Sequence, residues 1–376
     1  MKSNQTHKKI ALMLPGGGAR GSYQVGVLKG IVEMLADNHS IFPIITGTSA
    51  GAINAVVLAS YADDIKYGVA RLEKFWTTIH CNNVYRTDAI MIAKTIAKVF
   101  GSILFSKFGV KAPKSLLDNS PLARFLSKEL HLARIQQVID KGDLLGLAIT
   151  ASSYDTSVAK SFYQGQPSIL AWNRTRRIGL PQEIGIEHIL ASAALPFLFP
   201  AQLIGNEYYG DGGLRMSAPL SPAIHLGAEK ILVIGTRDES PIPTPTEVGE
   251  YPSMGELGGY MLDTIFMDTL MADLSRLNRI NRTISLLDDN NRAKSHLKQI
   301  DTMIIKPSID VRGVTQQHAK DIPRPVQSLL KIIGGWGKDW RMPSYLLFEP
   351  GYTKALIELG YNDSLAQKQA IVDFLN

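Results

Sequence analysis

The spacing of apolar positions changes along the chain, and those changes mark out the elements. Residues 8–14 form a short apolar run suited to a buried strand, which stops at Pro15-Gly16-Gly17-Gly18. Tyr23, Val27, Leu28, Ile31, Met34 and Leu35 then recur at helical spacing over residues 22–35. A second buried strand at 41–46 runs into Gly47-Thr48-Ser49-Ala50-Gly51, and the small and apolar residues of 50–59 predict another helix. Strand, turn and helix twice over predict an α/β sheet with helices on its faces.

Further along, residues 64–141 are predicted mostly helical, and 144–150 and 158–163 are predicted strands with Ser153 and Asp155 between them. A short helix at 186–194 closes at Pro196, and one strand over 201–209 ends at Gly210-Asp211-Gly212-Gly213. Residues 230–235 make one more apolar strand. The proline-rich stretch from Ser240 through Pro252 marks a linker or loop. This divides the chain into an α/β core at 8–238, a linker or loop at 239–256 and a mostly helical region at 257–376. That last region holds a long helix near 257–277, a strand at 303–306 and a helical end at 352–375. Its strand can join the main sheet, so the region is either separate or integrated with the core.

Composition narrows the class only a little. The apolar, charged and glycine contents are those of a globular protein, which excludes disordered and fibrous classes. The single cysteine, Cys81, cannot make an internal disulfide and suits a reducing compartment. The first apolar run is too short for a secretory signal core. The longest, at 41–60, is interrupted by Pro43, Gly47 and Gly51, so it is strand–turn–helix and not a membrane span. The expectation is a soluble, cytoplasmic protein, with peripheral membrane contact or export without a cleavable signal left open. A net charge of +6 favours anionic surfaces, and no basic run interleaved with aromatics marks a nucleic-acid groove.

The chemistry gathers at the turns. Gly47-x-Ser49-x-Gly51 between a buried strand and a small-residue helix is a nucleophile-elbow pattern: the tight turn projects the serine Oγ, with the Ala50 N–H and the helix N-terminus facing a developing oxyanion. Gly16-Gly17-Gly18-Ala19-Arg20-Gly21 also satisfies G-x-G-x-x-G, yet no acidic residue ends the second strand to hold a ribose. The other use of such a loop is an oxyanion hole, where bare glycine N–H groups crowd a tetrahedral intermediate. Arg20 is expected at the same mouth, orienting the loop or meeting a phosphate. A serine nucleophile needs a base. His225, His296 or His318 would follow Asp211 in a Ser…Asp…His order, but none of the eight histidines sits in a motif. Asp211, between glycines after a strand, is the better candidate because backbones can approach it and its carboxylate can reach across a cleft.

Taken in order, Gly-Gly-Gly-Ala-Arg-Gly, Gly-Thr-Ser-Ala-Gly, Ala191-Ser192-Ala193-Ala194-Leu195-Pro196-Phe197-Leu198-Phe199-Pro200 and Asp-Gly-Gly resemble the motifs of the patatin-like phospholipase family, across residues 10–215. The resemblance implies a three-layer α/β/α sandwich with a mainly parallel sheet and a Ser49–Asp211 dyad without histidine. Ser49 would be the nucleophile and Asp211 its proton acceptor. The backbone at Gly17 and Gly18, with Gly16 and Ala50, would hold the oxyanion. No metal or cofactor is implied. The implied substrate is a phospholipid or other acyl-ester lipid. An acyltransferase or thioesterase would use the same acyl-serine, and a non-catalytic nucleotide- or lipid-binding protein is the alternative of a different class. For contact with an anionic membrane, the sequence offers the basic amphipathic stretch from Ile90 to Phe108 and the segment 331–341 with Trp336 and Trp340.

Overall fold

A computed structural model describes residues 8–35, 38–104, 113–238, 251–295, 297–337 and 339–376. Most of the proline-rich linker (239–250), His296 and residues 105–112 of the amphipathic stretch lie outside them. The strands are β1 (Ile10–Leu14), β2 (Ile44–Gly47), β3 (Gly146–Ser153), β4 (Ala159–Gly165), β5 (Trp172–Arg174), β6 (Arg177–Pro181), β7 (Gln202–Ile204), β8 (Glu207–Asp211), β9 (Lys230–Ile234) and β10 (Asp301–Ile305). They form one sheet in the order β10-β9-β1-β2-β3-β4-β6-β5, with the β7–β8 hairpin attached to β3 through β8. From β10 to β3 every neighbour is parallel; beyond β3 the sheet turns mostly antiparallel. The parallel part is covered on both faces, which is why β1 and β2 are unbroken buried runs. With helices on either side the chain is a three-layer α/β/α sandwich.

The helices that matter for the site are α1 (Ser22–Met34), α2 (Ala50–Ser60), α3 (Ile65–Thr78), α4 (Ile186–Ser192), α5 (Met254–Asp263), α6 (Thr269–Ser285), α7 (Arg341–Leu346) and α8 (Pro350–Ala366). A π-helical turn, Thr264–Asp268, joins α5 to α6, so the long helix expected near 257–277 runs in fact from 254 to 285. The late strand joins the main sheet: β10 pairs in parallel with β9, Met303 opposite Leu232. The C-terminal helix α8 lies along α1. Tyr23 and Gly360 meet there so closely that a Cβ on Gly360 would overlap the Tyr23 carbonyl, and one on Gly26 the Ile357 carbonyl.

The single strand expected over 201–209 is two. Gly205, at φ 58, and Asn206 form a two-residue hairpin loop, with Ile204 opposite Glu207. The apolar positions on either side of this loop keep a strand-like pattern, so periodicity alone runs through the turn. The β5–β6 hairpin also escaped the pattern, because its strands are short and largely polar.

Candidate active site

Only Thr48 and Ser49 separate β2 from α2, so the chain must reverse within a very short link. Ser49 takes up the reversal at φ 56, ψ −127, a conformation that costs about 1–3 kcal/mol and persists only where neighbours enforce it. The Thr48 N–H donates to the Leu14 carbonyl of β1 (3.1 Å). The Ser49 N–H donates to Ser192 Oγ at the end of α4 (2.9 Å), and the Ser192 hydroxyl donates in turn to the Thr150 carbonyl of β3 (2.7 Å). Strand, strand and helix thus hold the strained residue from separate sides.

Asp211 ends β8, where it stands opposite Ala151 of β3. Its N–H donates to the Ala194 carbonyl (2.9 Å), so the same 191–200 segment that holds Ser49 also holds the aspartate. The side chain is fully buried. Oδ1 accepts from the Gly213 N–H at 2.9 Å, whereas Oδ2 has no hydrogen-bond partner among the described residues. Burial pushes this carboxyl up to about 7; the facing Ser49 hydroxyl and the Gly213 N–H pull the other way and only partly offset it. The Ser49 hydroxyl thus faces the carboxyl and favours its charged form.

The glycine loop after β1 approaches from the other side. Thr236, just past β9, donates its hydroxyl to the Gly16 carbonyl (2.8 Å) and turns that oxygen away from the site. Gly18 sits at φ 55 against the Tyr345 carbonyl, a position closed to any side chain on both counts. A Cβ on Gly16 would overlap the Phe266 ring and come within 2.9 Å of Ser49 Cβ. Among the described residues, the N–H groups of Gly16, Gly17, Gly18 and Ala50 meet no acceptor. Gly18, Ser49 and Ala50 line part of a narrow pocket of about 30 Å³. The rest of its wall is apolar and includes Ile53, Trp76, Leu122, Leu195, Phe199 and Phe348.

The structure removes Arg20 from contact with a phosphate but not from a part in orienting the loop. The side chain is not at the mouth of the site but buried behind the loop. Nε donates to Ser344 Oγ (2.8 Å), Nη1 pairs with Asp263 (2.9 Å), and the guanidinium lies 4.1 Å from the centre of the Tyr345 ring. The reason is topological: Arg20 lies in the 3-10 turn Gly18–Gly21 ahead of α1, and this turn packs against α7, so its side chain meets the C-terminal helices and not solvent. The histidine alternatives fare no better. His225 stacks on Trp172 at 4.7 Å, and His318 faces Asp321 at 3.3 Å, so neither is joined to Ser49 or Asp211. Ser192, Thr236 and Phe266 were missed as contributors. Ser192 was visible inside the quoted motif, but nothing local signals the other two.

Three comparisons bear on this geometry. Over 218 residues, 57% of this chain, it is 22% identical to calcium-independent phospholipase A2-gamma of Oryctolagus cuniculus, and that match spans 25% of the relative's length. Two solved structures are similar. One is VipD from Legionella pneumophila, with 13% identity and a TM-score of 0.37 over 97% of this chain and 67% of that one. The other is human GIVD cytosolic phospholipase A2 in complex with methyl gamma-linolenyl fluorophosphonate, with 12% identity and a TM-score of 0.38 over 98% and 59%. The family model for patatin-like phospholipase matches residues 12–224, more than half of the chain, with the glycine loop, Ser49 and Asp211 all inside the match. This chain therefore belongs to the patatin-like phospholipase family.

Proposed function

We propose that the chain is a lipid acyl hydrolase in which Ser49 and Asp211 act as a two-residue catalytic dyad. The observation that carries the reading is the pairing of a strained, elbow-held serine with a buried carboxylate whose Oδ2 has no other partner. Ser49 Oγ attacks the ester carbonyl and its proton passes to Asp211 Oδ2. The N–H groups of Gly17, Gly18 and Ala50 receive the oxyanion, each donor of this kind contributing about 3 kcal/mol to the transition state. As the tetrahedral intermediate collapses, the leaving alcohol takes the proton back from Asp211. Water then attacks the acyl-Ser49 carbonyl as its proton passes to Asp211, and collapse of this second intermediate releases the fatty acid while Asp211 returns the proton to Ser49 Oγ. An ordinary aspartate is a poor acceptor for a serine proton, and the upward shift toward 7 makes Asp211 a stronger base.

The pocket supports a lipid as substrate. Its wall opposite Ser49 is hydrocarbon and aromatic, which suits an acyl chain and offers a polar headgroup little. Fluorophosphonate labelling followed by peptide mapping tests the nucleophile, with modification expected at Ser49 alone and lost in Ser49→Ala. Labelling elsewhere, or retained ester cleavage by Ser49→Ala, would overturn the dyad. Product analysis on mixed phospholipids distinguishes free fatty acid from an acyl group transferred to another acceptor.

A further inference from the structure

We propose that the outward face of α5 is a docking surface for an anionic phospholipid bilayer. The choice of occupant rests on the acyl-hydrolase reading, because a bilayer is where a phospholipid ester is met; the docking itself uses neither Ser49 nor Asp211. A helix on a protein surface ordinarily turns its polar side outward. In α5 the order is reversed. Met254, Leu257, Tyr260 and Met261 are 77%, 42%, 59% and 47% exposed, while Gly255, Gly259, Leu262 and Asp263 face inward. The inversion has a steric origin: Gly255 lies against the backbone of Gly335, and Gly259 against Arg341, so the glycine side is the one that can approach the protein. What remains outside is a contiguous apolar strip of the sort that soluble surfaces seldom carry without an interaction to match.

The rim supplies the charge. The Gly255 N–H donates to the Ile333 carbonyl and Ser253 Oγ to the Gly334 carbonyl, both at 2.7 Å. These bonds seat α5 against the end of the helix Arg324–Ile332, which exposes Arg324, Lys331 and Ile332. The helix Ala89–Leu104 packs on that same helix and exposes Lys94 and Lys98. Among the described residues none of these four cations has a carboxylate partner, whereas Arg20, Arg237 and Arg341 nearer the site are all paired. An apolar strip seated on a helix whose Arg324 and Lys331 meet no carboxylate, Lys331 lying over the Trp336 ring, complements a surface that is hydrocarbon at depth and anionic at its headgroups, with Tyr260 suited to the boundary. The strip is also tied to the site. Beyond α5 the π-turn brings Phe266 onto Gly16, and Asp263 pairs with Arg20 behind the glycine loop.

The test is co-sedimentation of the full chain with vesicles of phosphatidylcholine and phosphatidylglycerol in equal parts. Replacing the strip (Met254→Ser, Leu257→Ser, Tyr260→Ser, Met261→Ser) should lower the bound fraction about tenfold or more, with an unchanged thermal melt. Arg324→Glu with Lys331→Glu should reduce it severalfold through the headgroups alone. Leu170→Ser with Leu286→Ser, exposed apolar positions elsewhere, should leave it as it was. Undiminished sedimentation of the strip variant overturns the proposal, as does equal binding to pure phosphatidylcholine vesicles. So does a shift in oligomeric state on size exclusion with vesicle binding retained, which would assign the face to a second copy. Ser49→Ala should sediment like the parent; if the parent cleaves no ester, the catalytic reading fails while the docking result stands.

Discussion

Asp211 and Asp263 are both buried carboxylates, one beside Ser49 and one behind the glycine loop, and their surroundings drive them in opposite directions. Asp263 accepts from Arg20 (2.9 Å), the Tyr345 hydroxyl (2.7 Å) and Arg341 (3.1 Å), and the Arg20 charge with these bonds holds its carboxyl below the usual range despite burial. Asp211 has a single backbone donor and one oxygen without a partner, and burial drives it up to about 7. The difference is the cations and donors supplied: Asp263 faces Arg20 and Arg341, whereas Asp211 faces only a hydroxyl and a backbone N–H. A fully paired carboxylate ties elements together and is chemically quiet; an under-partnered one can accept a proton.

The largest effect that would break this contrast is at Asp211. Asp211→Asn should lower kcat/KM on a soluble ester by roughly 10³-fold or more, by analogy with losing the base of a nucleophilic pair. It should also stabilise the fold at pH 8 and not at pH 4. The folded pKa lies above the unfolded value, so the native state holds a proton that the unfolded chain has already released between about 4 and 7. Stability therefore falls as pH rises through that window, and asparagine abolishes the loss; calorimetry at the two pH values checks it.

Asp263→Asn should do the reverse, costing about 3–5 kcal/mol in urea unfolding by leaving Arg20 buried without its counter-charge. The pH–rate profile comes next in size. kcat/KM should fall roughly tenfold per unit below about 7 as Asp211 takes up its proton, a profile set by the site alone. A profile flat to pH 5 would remove Asp211 from the role of base. Ser192→Ala should have the smallest effect, about 1–3 kcal/mol shared between stability and turnover. It leaves the Ser49 N–H and the Thr150 carbonyl without the hydroxyl that joins them. Measuring kcat beside the melt separates a loosened elbow from a loosened fold.

How far the sequence could be read follows the range of the interactions involved. The elbow was legible because strand, two-residue link and small-residue helix are contiguous, and so were the glycine loop and the helix at α4. The β7–β8 hairpin was not, since Gly205 breaks the strand without breaking the apolar pattern. Arg20 was misplaced for a related reason. A basic residue on a first helical turn ordinarily faces water, and only the arrival of Asp263, Ser344 and Tyr345 from more than two hundred residues away gives it a buried partner set. The proposed membrane surface keeps Lys94, Lys98 and Lys331 from the segments the sequence offered and takes its apolar strip from elsewhere. The sequence directed attention to Ile90–Phe108 and to residues 331–341; of their apolar residues Ile90 is exposed, Ile92 is buried, and Trp336 packs partly against the core. The α5 strip was hidden because its apolar residues look like a core face until its glycines are seen to be the packed side.

By itself, then, the sequence determined the local reversals and the residue types they expose: a serine at a tight strand–helix link, bare glycine N–H groups after the first strand, and an aspartate between glycines. Those are short-range consequences of sterics and periodicity. The tertiary structure alone decided which charges are satisfied. Donors to a carboxylate come from strands and helices far apart in the chain, and their number at Asp211 and at Asp263 depends on how β8, α5 and α7 pack, which no local pattern encodes.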